Sequence, residues 1–255
     1  MIDLGILGEL CDYHGAESGK LYVVATPLGN LSDLTLRAIR ILETCDFIAC
    51  ETPNVTKHLL SVLGIQEKNL FTYRDAGEAQ SAQHLLERLQ QGQSVALVSD
   101  AGTPTISDPG YRLIKLCRDQ SIDVVPIPGP SAAVTALSAS SFPCHQFLFL
   151  GFLPIKSGAR EKILKAYQTF EGTLIIYESP YRIRKLLNTL KELYGDSHRV
   201  CVARELTKRY ESFYQSKLST LNPAQYPERG EYVVLVAPQD QKQSNTDSEG
   251  KNPAF

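Results

Sequence analysis

Three stretches of small residues and proline are the first candidates for ligand binding in this sequence. They occupy residues 26–30, 99–104 and 128–133, and each follows a short apolar run. Small residues let the main chain approach a ligand closely, and proline fixes the shape of a loop beforehand. One such loop is most simply a tight turn. Three of them at predicted strand ends favour a ligand pocket, because α/β folds bind ligands at the carboxyl ends of their strands.

Two carboxylates lie in the second stretch and its continuation. Asp100 could anchor a ribose hydroxyl or an ammonium group, or it could cap the loop by accepting N–H bonds from Gly102 and Thr103. The two roles are compatible. Asp108 stands before Pro109 at the start of a predicted helix. This position is typical of a helix N-cap, so we assign Asp108 mainly a structural role.

Several function classes are disfavoured by what the sequence lacks. There is no GxGxxG fingerprint after the first apolar run, no GxxxxGK[ST] phosphate loop and no GxSxG nucleophile elbow. The five histidines and six cysteines are scattered without metal-ligand spacing, so neither a metal site nor a disulfide framework is indicated. No apolar run approaches the roughly 20 residues that span a bilayer. We therefore expect a cytoplasmic protein with reduced cysteines, no metal and no membrane segment.

Basic groups are concentrated in the second half of the chain. Residues 151–210 hold 12 basic and 6 acidic side chains, whereas residues 1–100 hold 7 and 13. If the protein meets a polyanion, the second half is expected to bind it. Lys156 and Arg160 could hold phosphates, although a basic helix start is often just a solvated face. For Arg204, an ion pair with Glu178 or Glu205 is as good an interpretation as contact with a substrate.

Alternating strands and helices must position these residues. Strands are predicted at 21–25, 47–50, 70–73 and 95–98, with amphipathic segments between them, which indicates a mostly parallel sheet. A second α/β unit is predicted from strands at 147–152, 173–177, 200–203 and 232–236, with a hairpin or short helix between the last two. The predicted fold class is α/β with two domains, 20–128 and 129–238. A flexible arm at 1–19 and a disordered tail at 239–255 flank them.

Six segments resemble one family when they are taken together. They are LYVVATPLGNL (21–31), SDAGTPTISDPG (99–110), PGPSAAVTAL (128–137), GFLPIKSGAR (151–160), YESPYRI (177–183) and ARELTK (203–208). They are similar to the ribosomal RNA small-subunit methyltransferase I family, within the tetrapyrrole methylase superfamily. Any one segment alone would be a weak signal, whereas six in order at the right spacing are very specific.

The resemblance implies a two-domain α/β methylase that holds S-adenosylmethionine in the cleft between its halves and forms a homodimer. The implied acceptor is the ribose 2′-hydroxyl of a cytidine in 16S rRNA within the 30S subunit. By this likeness the cofactor would contact Pro27, Leu28, Gly29, Ser99, Asp100, Ala101, Gly102, Thr103, Pro130, Ser131 and Ala132. RNA phosphates would contact Lys156, Arg160 and Lys208. A ribose hydroxyl is a poor nucleophile near neutral pH, so a base or a cation is expected among Glu51, Lys156, Glu178 and Arg204.

The chain departs from the family pattern where a substrate is expected to lie. The family usually reads AEDTRHT where residues 50–56 read CETPNVT, and its His-rich stretch is here YRDAGE at 73–78. Two other interpretations therefore stay open. One is a methylase of the same fold that acts on another RNA position or on a small molecule. The other is a catalytically silent protein that binds S-adenosylmethionine and serves as an assembly or regulatory partner.

Overall fold

Two sheets with flanking helices make up the structure. The computed structural model describes residues 15–222 and 225–239. The predicted tail from residue 240 onward and residues 1–14 of the predicted arm lie outside the described residues. The predicted fold class, α/β in two units, is confirmed.

The first sheet is entirely parallel, as predicted. Its strands are β1 (Leu21–Val24), β2 (Phe47–Cys50), β3 (Asn69–Thr72), β4 (Val95–Val98) and β5 (Val124–Ile127), in the order β3-β2-β4-β1-β5. A 3-10 turn (Leu31–Asp33) and α1 (Leu36–Thr44) follow β1, and α2 (Pro53–Leu63), α3 (Glu78–Gln90) and α4 (Tyr111–Asp119) follow β2, β3 and β4.

The burial of β4 explains why this half folds as it does. All four of its residues are buried. Val95 and Leu97 pack with the layer of α3 and α4, whereas Ala96 and Val98 pack with the layer of α1 and α2. A strand covered by helices on both faces needs apolar side chains on both, so a continuous apolar run becomes the centre of a parallel sheet. The carboxyl end of β4 therefore leads directly into the second small-residue loop.

The second sheet is mixed. Its strands are β6 (Phe147–Phe152), β7 (Thr173–Glu178), β8 (Arg199–Arg204), β9 (Ser212–Lys217) and β10 (Tyr232–Val236), in the order β6-β7-β10-β8-β9. Strands β6 and β7 are parallel, and the other pairs are antiparallel. Because β9 pairs with β8, the predicted alternative of a hairpin is confirmed over a short helix. Helices α6 (Ser157–Ala166) and α7 (Ile183–Tyr194) cover one face, and α5 (Ala132–Ser138) covers the other.

A β-bulge interrupts β6 near its carboxyl end. The pairing of β6 with β7 skips one residue between Phe149 and Gly151. Gly151 has a φ of 60°, a left-handed conformation that glycine adopts without steric cost. Beyond the bulge, Phe152 pairs with Tyr177 and lies on the same face of the sheet.

Candidate active site

The three loops of small residues are hydrogen-bonded to one another. The N–H of Thr26 donates to the carbonyl of Gly102 over 2.9 Å, and the N–H of Gly102 donates back over 3.0 Å. The hydroxyl of Thr26 donates to the carbonyl of Ser99 over 3.0 Å. The hydroxyl of Thr103 donates to the carbonyl of Pro130 over 2.9 Å. The loops after β1, β4 and β5 therefore form one connected wall.

A cavity of about 370 Å³ lies between this wall and the second sheet. A cavity of that size suits a small-molecule ligand. Seven of the predicted cofactor residues line it: Leu28, Asp100, Ala101, Gly102, Thr103, Ser131 and Ala132. The other four, Pro27, Gly29, Ser99 and Pro130, belong to the same loops but are not among the lining residues.

Asp108 lines the cavity and does not cap a helix, so the predicted N-cap role is wrong. Helix α4 begins after Gly110, whose φ is 137° and whose N–H donates to the Glu78 carboxylate over 3.3 Å. Thr105 and Ser107 have φ angles of 73° and 69°, which are rare for residues that carry a side chain. These left-handed residues turn the chain so that Asp108 meets the cavity.

The Asp108 carboxyl group binds a proton unusually well. Burial is the main cause and raises its pKa from 3.8 to about 6. The nearby charges of Glu51, Asp100 and Asp75 raise the pKa as well, whereas a hydrogen bond with Ser99 opposes the shift. A carboxylate with this pKa is mostly ionised at pH 7 yet can take up a proton during a reaction. Asp108 is therefore well suited to act as a general base.

Further acidic side chains lie near Asp108. Oδ1 of Asp100 accepts a hydrogen bond from the N–H of Thr52 over 3.1 Å, in place of the predicted bonds from Gly102 and Thr103. Burial, followed by the charges of Asp100 and Asp75, raises the pKa of Glu51. Glu51 itself is not among the lining residues. The predicted catalytic role of Glu51 stays a prediction. Together, the carboxylates of Asp100, Glu51 and Asp75 complement a cationic ligand.

Glu178 holds together the turn that follows β7. Its Oε1 accepts hydrogen bonds from the N–H of Ser179 and from the guanidinium of Arg182, both over 2.7 Å. Burial raises the pKa of Glu178, while Ser179, Arg182 and Arg160 oppose the shift. Its Oε2 is buried and has no hydrogen-bond partner among the described residues. Strand alternation turns the side chain away from the face that bears Tyr177, although Glu178 is one of the lining residues.

Arg160 is not the surface side chain that the sequence predicts. It is only 1% exposed. Its Nη2 lies 3.4 Å from the Ser157 hydroxyl and 3.5 Å from the Thr189 hydroxyl. With Leu164 it forms the buried face of α6. The prediction of an RNA phosphate contact at Arg160 is therefore wrong, because its side chain is buried and its charge acts on Glu178.

Lys156 and Arg204 both lie outside the cavity lining. Lys156 is exposed and precedes α6. Nε of Arg204 donates to the carbonyl of Arg229 over 3.2 Å, and the guanidinium lies 5.9 Å from the centre of the Tyr232 ring. The structure places neither residue among those that line the cavity, and the catalytic roles predicted for them stay predictions.

Lys208 connects the first loop with the second sheet. Its Nζ pairs with Glu231 over 2.8 Å and with Glu205 over 3.1 Å. A Cβ at Gly29 would lie 2.3 Å from Cγ of Lys208, so the glycine leaves room for the lysine stem. Glu231 lines the cavity. Lys208 therefore borders the cleft with its charge already paired, which makes a phosphate contact less favourable for it.

Several lining residues were missed by reasoning from the sequence. They are Ile106, Ser107 and Asp108 from the first half, and Phe152, Tyr177, Ser179, Pro180, Glu231, Tyr232 and Val233 from the second. The hydroxyl of Tyr177 accepts a hydrogen bond from the N–H of Ala133 over 3.0 Å, which ties β7 to the third loop. The motif YESPYR contained the β7 residues and could have indicated them. No signal in the sequence distinguishes the residues of β10.

The residues present suit S-adenosylmethionine. The small-residue loops allow close approach of the main chain, and the carboxylates of Asp100 and Asp108 complement its sulfonium and ammonium charges. Within 15–222 and 225–239, no group of three His, Cys, Asp or Glu side chains is arranged to hold a metal ion. In the same ranges, no helix is both long and apolar enough to cross a membrane.

Comparison with known proteins relates this site to one family. A family model described as Tetrapyrrole (Corrin/Porphyrin) Methylases matches residues 20–222. A protein of Escherichia coli O157:H7 named ribosomal RNA small subunit methyltransferase I is 46% identical over 222 residues, which are 86% of this chain and 77% of the relative.

Solved structures agree on the fold. The methyltransferase CobJ superposes with a TM-score of 0.66 at 21% identity, covering 87% of this chain and 95% of that one. A uroporphyrin-III C-methyl transferase from Thermus thermophilus, complexed with S-adenyl homocysteine, has a TM-score of 0.61 at 16% identity and covers 86% and 97%. The chain therefore belongs to the tetrapyrrole methylases and, within them, to the ribosomal RNA small subunit methyltransferase I family of S-adenosylmethionine-dependent methyltransferases.

Proposed function

We propose that this enzyme transfers the methyl group of S-adenosylmethionine to the ribose 2′-hydroxyl of a cytidine in 16S rRNA. One combined observation supports the proposal: the three small-residue loops line a single cavity in a chain that is 46% identical to a protein named for rRNA methylation. The further partners that we propose are the 30S subunit and a second copy of the chain, in the cytoplasm.

In this proposal the connected wall of loops binds the cofactor. Ala101, Gly102 and Ala132 line the cavity, and their small side chains would let the main chain approach the cofactor closely. Asp100 and Asp108 complement its positive charge. The bound cofactor supplies a methyl group that is already activated on sulfur. The protein has only to align the acceptor hydroxyl and to remove its proton.

Asp108 is the proton acceptor in this proposal. It lines the cavity, and its raised pKa of about 6 keeps it ionised but ready to accept a proton near neutral pH. Glu178 is the weaker candidate, because its Oε1 is already bonded to Ser179 and Arg182. Lys156, exposed and close in sequence to the lining residue Phe152, is the proposed contact for an RNA phosphate.

Methyl transfer from labelled S-adenosylmethionine to 30S subunits that lack the modification tests the proposal. We expect label on the ribose of one cytidine of 16S RNA, located by nuclease digestion. Asp100→Ala should weaken cofactor binding in calorimetry, and Asp123→Ala, at an exposed aspartate, is the matched control. Tight cofactor binding with no label in any RNA would refute the RNA acceptor.

A different acceptor is the second candidate function. The segment 50–56 departs from the family pattern, and the bond from Thr52 to Asp100 holds it beside the cavity. A change at this place would alter the acceptor side of the site without disturbing the cofactor loops. Label at another RNA position, or only in small molecules of a cell extract, would favour this candidate.

A further inference from the structure

An exposed aromatic side chain lies at the cavity on the side of the second sheet. Phe152 lines the cavity and is nevertheless 56% exposed. Ile155 and Tyr181 are also exposed, and they follow on neighbouring segments. Exposed apolar groups next to a cavity mark a surface that a ligand covers. We propose that Phe152 is the platform on which the base of the acceptor nucleotide stacks once that nucleotide has turned out of its RNA strand.

The bulge in β6 gives Phe152 this orientation. With strict alternation, Phe152 would share the face of Leu148 and Leu150, which pack toward α6 and α7. The extra residue before Gly151 shifts the alternation of side chains by one position, so Phe152 lies beside Tyr177 on the cavity side. Bulges beside active sites commonly re-aim a side chain in this way. The fold thus exposes a large apolar ring that regular pairing would have turned toward the core.

The ring of Phe152 is fixed relative to the cofactor loops. It meets Tyr177 edge to face, with ring centres 5.7 Å apart. Tyr177 is supported by Phe149 at 4.8 Å, and its hydroxyl accepts the N–H of Ala133 next to the third loop. One series of contacts therefore sets the distance from the platform to the cofactor. Methyl transfer requires such control, because the acceptor oxygen must lie in line with the methyl group.

The surroundings of Phe152 suit an unpaired stretch of RNA. Arg182 donates from Nη1 to the carbonyl of Leu153 over 3.2 Å and pairs through Nη2 with Glu178. This guanidinium joins the loop after β6 to the turn that bears Tyr181. Lys156 is exposed on the same loop. Aromatic rings next to exposed cations are typical of surfaces that bind single-stranded nucleic acid.

A nucleotide base fits this surface better than a second copy of the chain. Apart from the buried Arg160, residues 151–210 hold 11 basic and 6 acidic side chains, and Lys156 is exposed on the loop that follows Phe152. In a two-fold interface the same patch would meet itself, so its positive charges would repel. An RNA strand brings the opposite charge. The inference rests on the proposed RNA acceptor, which the experiment tests separately.

The experiment measures RNA binding apart from turnover. A 16S RNA fragment carries the fluorescent analogue pyrrolocytidine at the mapped acceptor position, and S-adenosylhomocysteine is present so that no methyl transfer occurs. Binding is followed by anisotropy, and stacking by quenching of the analogue. Phe152→Ala is compared with Phe152→Trp and Phe152→Leu. Phe147→Ala, at the exposed opposite end of β6, is the matched control.

We expect quenching with the wild type, Phe147→Ala and Phe152→Trp, and its loss with Phe152→Ala and Phe152→Leu. The dissociation constant for the RNA fragment, measured by anisotropy, should rise about 5- to 150-fold in Phe152→Ala, which corresponds to the loss of about 1–3 kcal/mol for one stacked base. Affinity for S-adenosylhomocysteine should stay unchanged.

Three results would overturn the platform: unchanged quenching in Phe152→Ala, a parallel loss of S-adenosylhomocysteine affinity, or conversion of a dimer to a monomer. If the wild type methylates no RNA, no acceptor position exists, so the proposed function fails and the platform fails with it. Methylation by the wild type without any quenching refutes the platform alone.

Discussion

Replacing Asp108 by Asn removes the proposed proton acceptor and keeps the shape of the side chain. General-base catalysis typically contributes about 10²- to 10⁴-fold, so we expect kcat to fall by about that factor. Calorimetry with S-adenosylmethionine separates this loss from a loss of cofactor binding. The measurement is single-turnover methyl transfer to 30S subunits that lack the modification, at saturating cofactor.

The pH dependence follows from the pKa of about 6. Below that value Asp108 is protonated and cannot accept the proton of the acceptor hydroxyl. The rate of the wild type should therefore fall about tenfold for each pH unit below 6 and level off above pH 7. In Asp108→Asn this acid limb should disappear, and a low, pH-independent rate should remain.

The same substitution should stabilise the folded protein at high pH. Because the pKa of Asp108 is raised from 3.8 to about 6, the folded state binds the proton more tightly than the unfolded chain. The resulting stability is fully present below pH 3.8 and is lost as the pH rises through 6. A shift of this size corresponds to at most about 3 kcal/mol, and partial solvent access reduces the expected gain to about 1–2 kcal/mol.

Denaturant unfolding at pH 8 and pH 4 measures this gain. Asp108→Asn should unfold later than the wild type at pH 8 and together with it at pH 4, whereas Asp123→Asn, exposed and remote, should follow the wild type at both. Full kcat in Asp108→Asn, or an acid limb that persists in it, would refute Asp108 as the base. A variant no more stable at pH 8 than at pH 4, relative to the wild type, would refute the raised pKa.

Three further substitutions test the contacts that shape the site. Arg182→Ala removes the hydrogen-bonded cation from the buried Glu178 carboxylate and leaves only the charge of Arg160 nearby. The free energy of unfolding should therefore fall by about 1.5–3 kcal/mol in denaturant titration, with partial recovery in Arg182→Lys. Gly29→Ala should displace Lys208 and weaken S-adenosylmethionine binding in calorimetry. Adding Lys208→Ala should restore that binding. A double variant that binds the cofactor as weakly as the single variant would contradict this contact. Thr103→Val leaves the carbonyl of Pro130 in the third loop without its hydrogen bond. The free energy of unfolding should fall by about 1 kcal/mol, which a lower melting temperature would show.

The sequence was sufficient to predict that the three small-residue loops meet at one edge of the first sheet. Strand β4 is a short apolar run that is followed by Ser99 and Asp100, and a continuous apolar run is typical of a parallel strand covered on both faces. Its loop and the two companion loops meet because the carboxyl ends of parallel strands lie at one edge of the sheet. The burial of β4 and the meeting of the loops depend on local sequence and on a simple topology, so both could be predicted from the sequence.

The acceptor side could not be predicted in the same way. The N-cap preference of Asp108 is overridden by two left-handed residues, Thr105 and Ser107, which no propensity favours. Arg160 lies four residues before Leu164 on the buried face of α6. Because a charged residue is normally exposed, the sequence predicts a surface position for it. The insertion of β10 between β7 and β8 depends on long-range pairing, and therefore its contribution to the cavity had no local signal.

The position of β10 in the second sheet has a consequence for how the enzyme is made. Residues 21–127 contain every strand of the first sheet, so that sheet can form while the rest of the chain is still being synthesised. The second sheet cannot close until β10 has left the ribosome, because β7 and β8 pair with it and not with each other. Strand β10 and the residue before it also bring Glu231, Tyr232 and Val233 to the cavity. A nascent chain therefore gains the complete pocket only after strand β10 has been synthesised, when the first sheet can already have folded.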